Sequence, residues 1–329
     1  MKNGPGRFEF YLQKLEILLQ QSRQEMNPAL WLYRNDARTV VFMLEGLSKL
    51  YAGLHNKKRF GKIKEDLKLL EDGLGVIDYY DAYSKEFMAD SRIPAPIINY
   101  LEAQSREKIQ HLNDILIQRG WIDENSTRIG KIRKKLQSAD WIKDDEEIKE
   151  IRTFYKKSIE DINGFFSSIN NRITEIETHA HELRRKLRWL SIYPRALQGA
   201  IQLTTNNTDI ESLSKYLTEE ILQSPFNKMP ETGKNRYSLI LEKDYFLSLS
   251  WMISAMGKLK DDGLRIVCVS EAIMQTKGTG KAESLALAYQ ALGEQQPRLT
   301  SILNETTGIC ETFFSEKNLD KLVSGISSN

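Results

Sequence analysis

Between residues 181 and 190 the chain reads His181-Glu182-Leu183-Arg184-Arg185-Lys186-Leu187-Arg188-Trp189-Leu190. On a helix, His181, Arg184, Arg185 and Arg188 fall on one face, a turn or two apart. Arginine makes bidentate, charge-assisted hydrogen bonds to phosphate oxygens, and a protonated histidine adds a donor. Like charges one turn apart repel, so such a row asks for carboxylates or for an anionic ligand. Arg38, on an earlier helix, is a fifth candidate. The competing reading is a solvated basic face crossed by local Glu residues.

The same stretch carries a second, apolar stripe: Ile173, Ile176, Ala180, Leu183, Leu187 and Leu190. That stripe is expected to face a core. The rest of the chain repeats the helical period. It predicts helices over 8–24, from Asn27-Pro28 to about Leu54, over 60–72, 76–91 and 96–120. Gly73 and Gly75 divide the third helix from the fourth. A long helix fits 145–203, with a break near Asn163-Gly164 or Pro194. The polar segment Thr204 to Asp209 leads to a further helix capped by Thr208 or Asp209. Residues 223–236 read as a loop. Helices over 242–260, 263–276, 282–294 and 298–323 follow, then a frayed tail. Ile266-Val267-Cys268-Val269 is assigned to helix, because a lone strand has nothing to pair with. The expected fold class is all-α, with antiparallel helical bundles. The gap near 120–145 divides an N-terminal bundle (1–140) from a C-terminal one (141–329).

Composition narrows the function. Of 329 residues, 40% are hydrophobic and 28% charged, as in a folded, soluble chain. The formal net charge is only +2, so a basic site must be a local concentration. That balance argues against nucleic acid as the partner, and no nucleic-acid motif is present. No apolar run is long enough to span a membrane, and no apolar h-region follows the first residues. Cys268 and Cys310, the only cysteines, form no CxxC pattern, and a reducing cytoplasm is the expected location.

Other constellations are weaker. Lys57-Lys58-Arg59 with Lys62 and Lys64, and Arg128-Lys131-Arg133-Lys134-Lys135, read as solvated surface. His179 and His181 stand two apart and point in different directions on a helix, so no metal site is expected. Gly278-Thr279-Gly280-Lys281 lacks the first glycine and the Ser/Thr of a phosphate loop and reads as a turn. Nothing matches a catalytic set, so the chain is read as non-enzymatic and without a cofactor.

Asn35-Asp36-Ala37-Arg38 aligns without gaps on His181-Glu182-Leu183-Arg184. A Leu-Gly pair follows each helix, Leu74-Gly75 and Leu292-Gly293, which points to a diverged internal duplication. This arrangement resembles the CHAD family, the conserved histidine α-helical domain. Its members carry a His-x-x-Arg-x-x-x-(Arg/Lys) helix in each half. His181, Arg184 and Arg188 fall on that pattern. In the first half Asn35 stands at the histidine position, Arg38 is kept, and Phe42 and Met43 replace basic residues. An insertion near 204–281 would separate the second helix from its Leu-Gly pair. The resemblance implies two helical bundles around a basic groove that binds inorganic polyphosphate or a similar polyanion. It places Arg38, His181, Arg184, Arg185 and Arg188 at that groove. The alternative is a diverged protein-interaction or scaffold module, its cations paired with internal carboxylates such as Glu45.

Overall fold

The computed structural model describes residues 3–204 and 211–329. It is mostly helical. Seven helices come first: α1 (Gly4–Ser22), α2 (Pro28–Arg34), α3 (Ala37–Leu54), α4 (Lys57–Met88), α5 (Ala95–Gln118), α6 (Thr127–Gln137) and α7 (Asp144–Ser168). A π-helical turn (Ile176–His181) runs straight into α8 (Glu182–Ala196). Then come α9 (Glu219–Gln223), α10 (Lys243–Lys277), α11 (Lys281–Leu292) and α12 (Leu299–Ser315). The predicted cap at Thr208 or Asp209 lies outside the described residues.

Helix dominates, as the all-α expectation has it; beside it lies a small sheet of β1 (Ile201–Leu203), β2 (Tyr237–Leu241) and β3 (Val323–Ser328). β1 runs parallel to β2 with Ile201 opposite Leu239, and β3 antiparallel to it with Ile326 opposite Leu239. The three segments are short and far apart in the chain, so none shows a paired pattern locally. The tail expected to fray is instead the third strand. Residues 266–269 are helical, within α10.

Other boundaries move for identifiable reasons. The second predicted helix divides into α2 and α3, because Asp36 adopts a left-handed conformation (φ 54°). Gly73 and Gly75 do not break anything; α4 runs through both. Gly73 faces Leu112, where a Cβ would come within 2.8 Å of that side chain, so tertiary packing uses the missing side chain. The predicted 145–203 helix breaks after Ser168 and ends at Ala196, two residues past Pro194, so that Ile201–Leu203 are strand and not helix. Asn170 and Asn171 turn the chain with φ of 54° and 55°, a conformation asparagine tolerates. The stretch near 120–145, read as the gap between two bundles, contains α6, whose Ile129, Ile132 and Leu136 are buried.

One hydrophobic core takes residues from Phe8 to Leu322, and a smaller one packs α4 and α5 against α10 and α11. The connection at 138–143 carries Trp141 into the larger core. All six residues of the apolar stripe Ile173 to Leu190 are buried. An ion pair sits inside the larger core: Arg7 donates to Glu147 at 2.8 Å, and Tyr51 donates to the same carboxylate at 2.7 Å. It ties α1, α3 and α7 together. Among the described residues no helix is long and apolar enough to cross a membrane.

Candidate functional site

α3 and α8 cross where Gly46 meets Trp189 and Ile192; a Cβ on Gly46 would lie 3.3 Å from each. Equivalent positions of the aligned segments meet here. Counting from Asn35 and His181, Gly46 and Ile192 hold the same place. So do Phe42 and Arg188, and the Arg188 guanidinium lies 4.5 Å from the centre of the Phe42 ring.

The two aligned arginines also make equivalent contacts. Arg38 lies against Gly75 of α4, and Arg184 against Gly257 of α10. A Cβ would come 2.7 Å from Arg38 Nη2 at the first glycine and 3.1 Å from Arg184 Nε at the second. The first Leu-Gly pair is therefore a seat within a helix, not a turn. Its counterpart in space is Met256-Gly257, while Leu292-Gly293 ends α11 with a φ of 85° at the glycine.

The surroundings of the two arginines differ. Arg38 donates to Glu71 at 2.9 Å and to Asp78 at 3.0 Å. These carboxylates stand four residues before and three after Gly75. The same offsets from Gly257 give Ile253 and Lys260. Arg184 accordingly donates to the backbone carbonyl of Ile253 at 3.0 Å and forms no ion pair among the described residues. Arg188 likewise has no carboxylate within ion-pair distance there; its close contact is the Phe42 ring.

Arg184 and Arg188 line a cleft of about 480 Å³ between α3, α8, α9 and α10. Arg195 joins them, one face further along α8, with Ser191, Ser250 and Ser254. Arg195 donates to the Pro225 carbonyl and lies over the Phe226 ring at 4.9 Å. Glu220 is the acidic residue of the lining. Burial holds the Arg188 guanidinium down at about 10, helped by Arg184 and Arg38 and opposed by Glu71. Burial also lowers Arg184, with Asp261 opposing. Both remain cationic at neutral pH, so the cleft concentrates positive charge; Glu220, its acidic lining residue, is paired with Lys258 at 3.2 Å.

The other expected site residues are elsewhere. Arg185 is exposed and paired with Glu182 at 2.7 Å. Arg38 stands beside Arg188 but is already neutralised. His181 does not line the cleft. Its Nδ1 lies 3.8 Å from Glu177, beyond hydrogen-bond reach. Burial, Lys260, Arg185 and Arg184 push its pKa down against the pull of Glu177, so it is neutral at pH 7 and adds no charge. Glu45 is buried on α3, while Glu71, Asp78 and Glu182 supply the carboxylates that meet the expected row. In the second basic cluster Arg133 is held by Glu9 and Glu16.

Arg195 and Phe42 were not among the expected site residues. Arg195 follows Arg188 at the spacing that Arg188 keeps from His181, a signal the sequence did contain. No sequence signal marks Phe42 as a platform for a cation. Comparison with models of known families, with curated proteins and with solved structures finds no match to this chain.

Proposed function

We propose that this chain binds a compact polyanion, such as a short inorganic oligophosphate, in the arginine cleft, and does so without catalysing a reaction. The observation that carries the reading is the contrast between the two aligned arginines. Arg38 has two carboxylates at its glycine seat; Arg184 has an aliphatic residue and a lysine at the same offsets. A half-buried pair, Arg184 and Arg188, with no ion-pair partner among the described residues favours an external anion. The cleft holds about 480 Å³, which narrows the proposed ligand class from long polyphosphate to a chain of a few phosphates.

The CHAD-like, duplicated two-bundle architecture belongs to the same reading. Two helices packed about a two-fold axis touch at equivalent positions. The contacts of Phe42 with Arg188 and of Gly46 with Ile192 have that form, and the arginine–glycine seats repeat it. The bundle division near residue 140 and the cytoplasmic location are carried as parts of the proposal.

Titration calorimetry of the full chain with tripolyphosphate, at low and moderate salt, tests it. Salt-sensitive binding is expected, not matched by single-stranded DNA as competitor. Each lost charge-assisted contact costs about 1.5–3 kcal/mol. Arg184→Ala/Arg188→Ala should therefore abolish measurable binding, while Arg185→Ala should leave it unchanged. Binding that survives the double substitution overturns the reading.

The second reading, a protein-interaction module, is favoured by the carboxylates on Arg38 and Arg185. Under it, tripolyphosphate does not bind even at low salt.

A further inference from the structure

The α3–α8 crossing has a second flank. There α3, α7 and α8 enclose a cleft of about 630 Å³ lined by Lys49, Phe154, Lys157, Lys186, Trp189 and Tyr193. Lys49 is half-buried in its wall, with the ammonium 5.0 Å from the centre of the Trp189 ring. No carboxylate lies within ion-pair distance of Lys49 among the described residues. Glu45, one helical turn earlier on α3, pulls the other way, and Lys64, Lys186 and Arg185 are the cations acting on the amine. The Tyr193 hydroxyl is buried at the same cleft and has no hydrogen-bond partner among the described residues. Glu150 and Asp161 also line it, so the charge at its mouth is mixed.

Burial and the neighbouring cations hold Lys49 down at about 8, against the pull of Glu45. At neutral pH its free-base fraction is on the order of a hundredfold above that of an ordinary lysine. A lysine amine made available by an apolar pocket and adjacent cations is a carbonyl nucleophile. The same cations attract a negatively charged substituent.

We propose that Lys49 is a nucleophilic amine that forms an imine with an anionic small carbonyl compound held in this cleft. The Nζ lone pair attacks the carbonyl carbon and a C–N bond forms. The carbonyl oxygen takes up two protons, both from the amine nitrogen in net terms, and leaves as water. No oxidant or reductant takes part. Lys186, which lines the same cleft 3.7 Å from Glu182, is the cation on α8 that would receive the anionic group, and the Tyr193 hydroxyl is a free donor for the departing oxygen. The site is distinct from the arginine cleft, and neither claim depends on the other.

Pyridoxal 5′-phosphate is a suitable probe. The full chain is treated with a substoichiometric amount at neutral pH, the imine is trapped with borohydride, and labelled peptides are mapped by mass spectrometry. Lys49 is expected to carry the label at roughly tenfold or more over any other lysine, as the free-base advantage implies. Labelling spread over exposed lysines away from the cleft, such as Lys131 and Lys281, overturns the proposal. Pyridoxal without the phosphate should label Lys49 several-fold more slowly; equal rates overturn the anionic preference. Because the primary readout is on the unaltered chain, a Lys49→Met variant that failed to fold would not blur the result. If it folds, it should lose the label.

Discussion

The Arg188 guanidinium on α8 lies 4.5 Å from the centre of the Phe42 ring on α3, and the two residues hold the same place in their aligned segments. Arg38 reaches the same ring from its own helix at 5.4 Å. An aromatic thus stands where a further cation would have added repulsion. A ring face attracts a guanidinium and does not neutralise it. The arrangement steadies Arg188 in the cleft while leaving its charge for a ligand.

Phe42→Leu keeps most of the volume and removes the ring. A partly desolvated cation–π contact is worth about 1 kcal/mol. Tripolyphosphate affinity should fall by about fivefold, with the unfolding midpoint little changed. An affinity equal to wild type would show that the ring does not position Arg188.

Two glycine substitutions should separate the two arginine seats. Alanine favours a helix over glycine by about 1 kcal/mol. At Gly257 the new Cβ would lie 3.1 Å from Arg184 Nε and press the guanidinium away from the Ile253 carbonyl. Gly257→Ala should weaken tripolyphosphate binding several-fold without loss of fold. At Gly75 the new Cβ would lie 2.7 Å from Arg38 Nη2, where the displaced group is already paired with Glu71 and Asp78. Gly75→Ala should leave anion binding within twofold. Calorimetry on both variants compares them directly.

Glu147→Ala would strand Arg7 in the core. The pair is buried, with side-chain exposures of 4% and 3%, and Tyr51 shares its hydrogen bonds. Removing one partner of a buried pair costs about 3–5 kcal/mol. Urea unfolding should show a loss of that size. A loss below about 1 kcal/mol would mean that the charge finds water.

His55 sets a pH dependence. Its ring stacks on Tyr51 at 5.5 Å, and its Nε2 has no hydrogen-bond partner among the described residues. Burial lowers its pKa, against the pull of Glu147, Asp140 and Glu146. Below the unfolded-state pKa of about 6.5, the unfolded chain binds a proton that the folded chain resists. The His55 contribution is therefore present above that pH and lost as pH falls toward the folded pKa. Urea midpoints at pH 7.5 and pH 5.5 should differ less in His55→Phe than in wild type. An equal difference would assign the acid sensitivity to other groups.

Both thiols should be inert in the folded chain. Cys268 and Cys310 are fully buried, and burial pushes each up to about 12. A disulfide dye should react with neither until denaturant is added. Fast labelling of the native chain would reveal local opening at α10 or α12.

The sequence alone determined the helical stripes. Leu183, Leu187 and Leu190 are buried because a helix places them on one side, and that periodicity is local. It also determined that Arg184 and Arg188, one turn apart, share a helix face, and both line the cleft; His181, at the end of a π-helical turn, does not. It did not show that α4 continues past Gly73 and Gly75, because those glycines are justified only by Leu112 and Arg38, which reach them from elsewhere in the chain. Nor could it show the sheet, whose strands pair across gaps of more than thirty residues. Which cations remain available was decided by tertiary structure alone. Arg38 and Arg184 are the same residue type at the same place in two aligned segments. Packing sets Glu71 and Asp78 against the first, and the Ile253 carbonyl against the second. Local sequence fixes the face on which a charge sits; neutralisation depends on distance to groups that only the folded chain brings near.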